Sequence, residues 1–142
     1  MTKKLDVLAK ARELKPRLAA AADKLNAKIA EFEKTLGSLK LGVMASVALS
    51  SEEQVSAGVD LRFAKWRDEW RLVVVDYDYS HGLDEESFEL LQNQSRETRL
   101  AAVALFPELV DELLTSAERE IERVDASANS IDELIREVER SS

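Results

Sequence analysis

Residues 73–82, VVVDYDYSHG, carry the side chains best suited to chemistry in this chain of 142 residues. Asp76 and Asp78 stand two positions apart, which places both carboxylates on one face of a β-strand. His81 follows Asp78 closely and is the one histidine in the sequence. Together the three residues predict a candidate site for a divalent cation or for acid–base chemistry.

The same stretch also fits a strand that leaves the core with its aspartates turned to solvent. The spacing matches no established metal-binding motif, and the sequence has neither a second histidine nor a cysteine to complete a ligand set. It also lacks a G-x-S-x-G nucleophile motif and a glycine-rich phosphate loop. We therefore expect a protein that is not an enzyme and needs no cofactor. A small metal-dependent enzyme using Asp76, Asp78 and His81 is the third hypothesis.

Two tryptophans provide a second candidate site, because Trp66 and Trp70 flank a predicted turn, WRDE, among several arginines. Aromatic side chains beside arginine are frequent anchors of protein interfaces. The alternative is a cross-strand aromatic pair that only stabilises a hairpin. The candidate partner-binding residues are Trp66, Arg67, Trp70, Tyr77 and Tyr79.

The net charge of −8 is distributed unevenly along the chain. Residues 1–40 sum to +5, residues 41–80 to −3 and residues 81–142 to −10. The acidic carboxy-terminal part disfavours direct binding to nucleic acid, because carboxylates and phosphates repel each other. A basic segment and an acidic segment in one small chain predict attraction between the two.

The composition, with 45% hydrophobic and 34% charged residues, is typical of a folded protein with a charged surface. The apolar runs are too short to span a membrane, and MTKKLDVLAKARELK lacks the apolar core of a secretion signal. The absence of cysteine excludes disulfides and cysteine-based zinc sites. We expect a cytoplasmic accessory protein of a bacterium or phage.

All four glycines lie between residues 37 and 82. Since helices avoid glycine, we predict one domain, residues 1–142, in which a β region separates two helical regions. The first helical region is residues 1–37, where Pro16 either begins the main helix or kinks a longer one. Its apolar residues recur at coiled-coil spacing: Leu18, Ala22, Leu25, Ile29, Phe32 and Leu36.

Residues 40–80 predict a three-stranded antiparallel meander formed by LGVMASVALS, VDLRFAK and WRLVVVDYDY. The third strand is apolar on both faces, with Trp70, Leu72 and Val74 on one and Val73, Val75 and Tyr77 on the other. We expect helices to cover one face. The other face needs either the region that follows the sheet or a second subunit.

Residues 84–142 are predicted to be helical, and LDEESFELL to form a turn or a short helix. Ser95 is a candidate N-cap, and Pro107 fits the first turn of the last helix. The apolar residues of this helix follow heptad spacing: Val110, Leu114, Ala117, Ile121, Val124, Ala128, Ile131, Ile135 and Val138. A capping box at Ser130 and Glu133 leaves open a break near Ser127–Ser130.

The two heptad regions match in length, since residues 3–36 and residues 107–140 both span 34 positions. Laid antiparallel, the basic region lies along the acidic one, and Pro16 faces residue 127. The predicted fold is therefore α+β, a three-stranded antiparallel meander flanked by long terminal helices that pair as an antiparallel coiled coil.

The heptads and the absence of catalytic motifs favour a non-enzymatic protein–protein interaction or adaptor module. For such a module we expect a protein partner and a homodimer. The second hypothesis is an acidic inhibitor that imitates nucleic acid and blocks a DNA- or RNA-handling protein, because sixteen carboxylates follow residue 80.

Overall fold

The computed structural model describes residues 2–51, 57–80, 82 and 85–142. In these ranges the fold is α+β, with three α-helices and a four-stranded antiparallel sheet. The elements are α1 (Thr2–Ser38), β1 (Ala45–Ser51), β2 (Ala57–Trp66), β3 (Glu69–Asp78), β4 (Glu85–Leu90), a 3-10 turn (Leu91–Asn93), α2 (Arg96–Ala104) and α3 (Phe106–Ser141). None of these helices is both long and apolar enough to cross a membrane.

The sheet is an antiparallel meander in the order β1-β2-β3-β4. The sequence predicted three strands, but the structure has a fourth, β4, which pairs with the outer edge of β3 from Val73 to Asp78. Residues 85–90 were expected to belong to the helical part of the chain. β3 carries apolar residues on both faces and an outer edge of backbone groups that need partners, and these requirements outweigh the helix propensity of glutamate and leucine.

The predicted turn between the second and third strands is confirmed as a two-residue connection. Arg67 and Asp68 have φ angles of +47° and +70°, the left-handed conformation of a tight hairpin turn. Such turns match the right-handed twist of the strands that they join. β2 and β3 therefore pair without interruption from Trp66↔Glu69 to Ala57↔Asp78.

The hydrophobic core lies between one face of the sheet and the helices. The sheet contributes Ala45, Val47, Leu61, Phe63, Leu72 and Val74, and the helical segments contribute Ile29, Leu36, Leu91, Ala102, Leu109 and Leu113. On α1, Leu25 and Phe32 pack against this cluster as well. The heptad spacing thus correctly identified the core-facing stripe of α1 between Leu25 and Leu36.

Both long helices are continuous. Pro16 lies within α1, and α3 has no break at Ser127–Ser130, because the Ser130 hydroxyl donates to the Ala126 carbonyl at 3.1 Å instead of capping a new helix. Ser95 caps α2 by accepting the Thr98 N–H at 3.2 Å. On α3 the buried residues are Leu109 and Leu113, which the predicted heptad set omits.

The antiparallel coiled coil between α1 and α3 is not seen. The rings of Phe32 and Phe106 stack with centroids 4.2 Å apart, and Leu36 and Leu113 line one small pocket. Contacts therefore advance in the same direction along both helices, as in a parallel arrangement. An antiparallel pair would bring Leu36 to residues that precede Phe106.

One carboxylate fixes α1 on the sheet. Glu33 Oε1 accepts a hydrogen bond from Arg71 Nε at 2.8 Å, and Glu33 Oε2 accepts one from Leu72 N–H at 2.7 Å. β4 ends opposite Val73, so the next amide along β3 has no strand partner on that edge and takes Glu33 instead. Arg71 also donates to Gln92 at 3.1 Å, which ties the 3-10 turn to the same point.

Replacing Glu33→Ala should lower the free energy of unfolding by about 2–3 kcal/mol, because Arg71 Nε and the partly buried Leu72 amide both lose their acceptor. Urea denaturation measures this change. The matched control is Glu31→Ala on the same helix, which removes only an exposed ion pair with Lys28 at 3.0 Å and should cost less than about 0.5 kcal/mol. Equal losses for the two variants would contradict the assigned role of Glu33.

Candidate protein-interaction surfaces

In the part of the chain that the structure describes, no helix packs on the second face of the sheet. It presents Asp60, Arg62, Val73, Val75 and Phe88, which alternate with the core-facing residues on their strands. Val73 and Val75 are nevertheless only 1% and 0% exposed. Arg62 is the cross-strand neighbour of Val73, and Phe88 is that of Val75, so neighbouring side chains cover the two valines.

Arg62 organises this open face. Its guanidinium carbon lies 5.9 Å from the centroid of the Phe88 ring, a cation–π arrangement, and its Nη2 lies 3.6 Å from Asp60 Oδ2. Ser46 donates to the same carboxylate oxygen at 3.4 Å. The sequence predicted that the region after the third strand or a second subunit covers this face. Phe88, which lies opposite Val75, belongs to the LDEESFELL segment of that region, and Arg62 of β2 lies opposite Val73.

The structure separates the two tryptophans. Trp70 pairs with Lys65 on the core-facing side, and its ring lies 5.6 Å from that of Phe63. Trp66 pairs with Glu69 and lies on the open face, with the Arg67 guanidinium 5.6 Å from its ring. The expected cross-strand tryptophan pair is therefore wrong, because the register places the two rings on opposite faces of the sheet.

The tyrosines form a cluster at the far end of the open face. The rings of Tyr77 and Tyr79 stack at 5.4 Å, and the Tyr79 hydroxyl hydrogen-bonds the Glu86 carboxylate. Tyr77 lies eight residues along β3 from the partner of Trp66, a separation of roughly 26 Å. Trp66, Arg67, Trp70, Tyr77 and Tyr79 thus do not converge on one binding site.

The candidate metal residues are only partly described. Asp76 and Asp78 lie on the same side of β3, next to Glu85 and Ser87 of β4, and together line a shallow acidic depression. The Ser80 N–H donates to Asp78 at 2.9 Å, as in the polar end of a strand. His81 lies outside the described residues. Within those residues, no three histidine, aspartate or glutamate side chains are placed to hold a metal ion.

Two long helical segments extend beyond the core. We call residues 3–21 the α1 arm and residues 121–141 the α3 arm, and every residue in both is exposed. Each arm is about 30 Å long at the rise of an α-helix. Because α1 and α3 run in the same direction, the arms leave the core at opposite ends.

The α3 arm carries an unpartnered apolar stripe. We call this set the α3 stripe: Ile121, Val124, Ala128, Ile131, Ile135 and Val138. Its five larger members are between 49% and 68% exposed. The spacing that the sequence predicted for these residues is present, but the side chains face solvent in the monomer. The intramolecular pairing with α1 that the heptad spacing predicted for these residues is not seen.

A groove continues the stripe into the core. It has a volume of about 290 Å³ and is lined by Leu41, Val43, Ala117, Ile121 and Val124, with Glu120 and Asp125 beside them. Leu41 and Val43 precede β1 and stand on either side of Gly42, which has a φ angle of +66°. The groove and the stripe form one apolar surface that runs from the sheet edge along α3.

No family model, curated protein or solved structure matches the chain.

The close packing around Gly58 on the open face can be tested by substitution. A Cβ at this position would lie 2.7 Å from the Tyr77 hydroxyl and 2.9 Å from the Ser50 carbonyl oxygen. Gly58→Ala should therefore destabilise the fold by about 1–3 kcal/mol in urea denaturation. Gly37→Ala is the control, because nothing lies within 4 Å of its Cβ, and it should be neutral or stabilise α1 by up to about 1 kcal/mol. A neutral Gly58→Ala would refute this close packing.

Proposed function

We propose that this protein is a non-enzymatic protein–protein interaction module that binds its partner through the α3 stripe. The observation that carries the proposal is the exposure of heptad-spaced isoleucine and valine side chains along the whole α3 arm. Contiguous apolar surface of this kind on a folded protein marks a binding site more often than isolated exposed residues do. The expected partner is an amphipathic helix that lies along the arm.

The energetics of the arm support this proposal. A helix without tertiary contacts gains little stability in water, and most helical stability in proteins comes from packing an amphipathic face. The α3 arm has an amphipathic face over three heptads but no packing on it beyond the groove at Ile121 and Val124. A partner helix supplies that packing and removes the stripe from water.

The charges beside the stripe define the chemistry of the partner. Among the described residues, no carboxylate of the α3 arm makes an ion pair. Three of these carboxylates lie three or four residues from a stripe residue and so flank the stripe: Asp125, Asp132 and Glu139. A partner helix with lysine or arginine beside an apolar stripe therefore complements the arm, since such flanking pairs set partner choice and orientation.

A tagged copy of the chain should capture its partner from a lysate of the source cells through this stripe. Ile131→Asp combined with Ile135→Asp should reduce the captured protein at least about tenfold, because it places charges in an apolar interface. The control, Glu133→Ala with Glu137→Ala, changes the opposite side of the same helix and should leave capture unchanged. Circular dichroism checks that both variants remain folded. Equal capture by the stripe variant and the wild type would rule out this function.

The second candidate function is an acidic inhibitor that imitates nucleic acid. The same unpaired carboxylates favour it, because a basic protein that binds nucleic acid recognises ordered negative charge. It makes a different prediction in the capture experiment. Asp132→Asn with Glu139→Gln should then abolish capture of the basic partner, while Ile131→Asp with Ile135→Asp should leave it intact.

A further inference from the structure

The geometry points to a second copy of this chain as the partner of the α3 arm, with the α1 arm of each copy paired antiparallel to the α3 arm of the other in a twofold dimer. This inference rests on the proposed function and names its partner. It assigns the α1 arm, every residue of which is exposed in the monomer, to the same interface.

The direction of the helices excludes this pairing within one chain. Asn26 hydrogen-bonds Arg99, Phe32 stacks on Phe106, and Leu36 meets Leu113 at a shared pocket. Arg99 belongs to α2, whereas the other two contacts join α1 to α3. From Phe32–Phe106 to Leu36–Leu113 the contacts advance in the same direction along both helices, so α1 and α3 run parallel. The α1 arm therefore leaves one end of this contact and the α3 arm leaves the other, so the two arms of one chain cannot meet.

A twofold axis perpendicular to the helices brings the arms of two chains together. The axis reverses the second copy, so that its α3 arm lies at the end where the first copy has its α1 arm. Because α1 and α3 run parallel within a chain, reversal makes each α1 arm antiparallel to the α3 arm of the other copy. The two pairs are identical, and the assembly is closed.

The apolar residues of the two arms fit such a pair. On the α1 arm, Val7, Ala11, Leu14 and Leu18 are spaced 4, 3 and 4 residues apart, and we call them the α1 stripe. Its larger members are between 44% and 66% exposed. The α3 stripe alternates 3 and 4 in the same way. The α1 stripe, Val7 to Leu18, spans roughly 18 Å and faces about two thirds of the α3 stripe, Ile121 to Val138, which spans roughly 27 Å.

The charges beside the two stripes are opposite in sign. Positions three or four residues from a stripe residue flank it on a helix. On the α1 arm the charged residues at these positions are all basic: Lys3, Lys4, Lys10, Lys15 and Arg17. Beside the α3 stripe they are all acidic: Glu118, Glu120, Asp125, Asp132 and Glu139.

The opposite-sign residues of each arm lie away from its stripe. Asp6 and Glu13 on α1, and Arg119, Arg123, Arg136 and Arg140 on α3, are never three or four residues from a stripe position. Pairing of α1 with α1, or of α3 with α3, would therefore juxtapose like charges along the whole interface. Only the pair of α1 with α3 places opposite charges together.

Sedimentation equilibrium, which measures the mass in solution, tests the dimer. The wild type should have twice the 15.9 kDa mass of the chain. Lys10→Glu with Lys15→Glu and Arg17→Glu, or Glu120→Lys with Asp125→Lys and Asp132→Lys, should each weaken dimerisation by roughly a hundredfold. An equimolar mixture of the two variants should restore a dimer that contains one copy of each, and a chain with all six changes should dimerise alone.

Two controls separate charge pairing from general effects. Arg12→Glu, on the side of α1 away from the stripe, should dimerise like the wild type, whereas Lys15→Glu should dimerise more weakly. High salt should weaken the wild-type dimer, because the flanking pairs are exposed. The changed residues all lie in exposed arms or at their margins, so thermal unfolding of the core should be retained in every variant.

Several results would overturn the dimer. A wild-type monomer would do so, as would a lysine-to-glutamate variant that dimerises as well as the wild type, since that dimer would not use α1. Masses that grow beyond two copies with concentration would show open chains instead of a closed pair. If the wild type is monomeric but still captures another protein that Ile131→Asp with Ile135→Asp abolishes, the proposed function stands with a different partner. If the wild type is monomeric and captures no protein through the α3 stripe, both the dimer and the proposed function are wrong.

Discussion

The contact of the Glu33 carboxylate with the Leu72 amide and Arg71 determines how α1 lies on the sheet. A helix packed only through apolar side chains can rotate or slide at small energetic cost, whereas two directional hydrogen bonds to one carboxylate allow a single rotation and a single height. That position points Ile29 and Leu36 into the core and leaves the nineteen residues of the α1 arm beyond the sheet. The location of the free α1 surface follows from this one contact.

The sheet carries apolar residues on both faces, but the helices that the structure describes pack on only one of them. Val73 and Val75 are buried all the same, because Arg62 and Phe88 lie on adjacent strands and pack over them. A long side chain with an apolar stem and a charged head can cover a valine and remain hydrated at its tip. The open face therefore needs no second subunit, and the large apolar surface that still lacks a partner lies on the arms.

The sequence predicted those features that depend on local pattern and missed those that depend on packing. Glycine placement separated helices from strands, and the spacing of Leu25, Ile29 and Leu36 identified a core face, because both reflect local conformation. β4 was missed because EESFEL has the composition of a helix, and only the unpaired edge of β3 makes it a strand. Trp66 and Trp70 were wrongly paired because the turn and register, not the spacing alone, decide which face each occupies.

Heptad spacing and charge identify which surfaces match, but they contain no information on whether the two surfaces belong to one chain. The chain path decides this, because the contacts Phe32–Phe106 and Leu36–Leu113 advance in the same direction along α1 and α3, so the two helices run parallel. Matching arms at opposite ends of a molecule can form either an open chain of copies or a closed pair. Arms of nearly equal length favour closure, since the same two copies then satisfy both interfaces, and the second contact forms without a further loss of translational freedom.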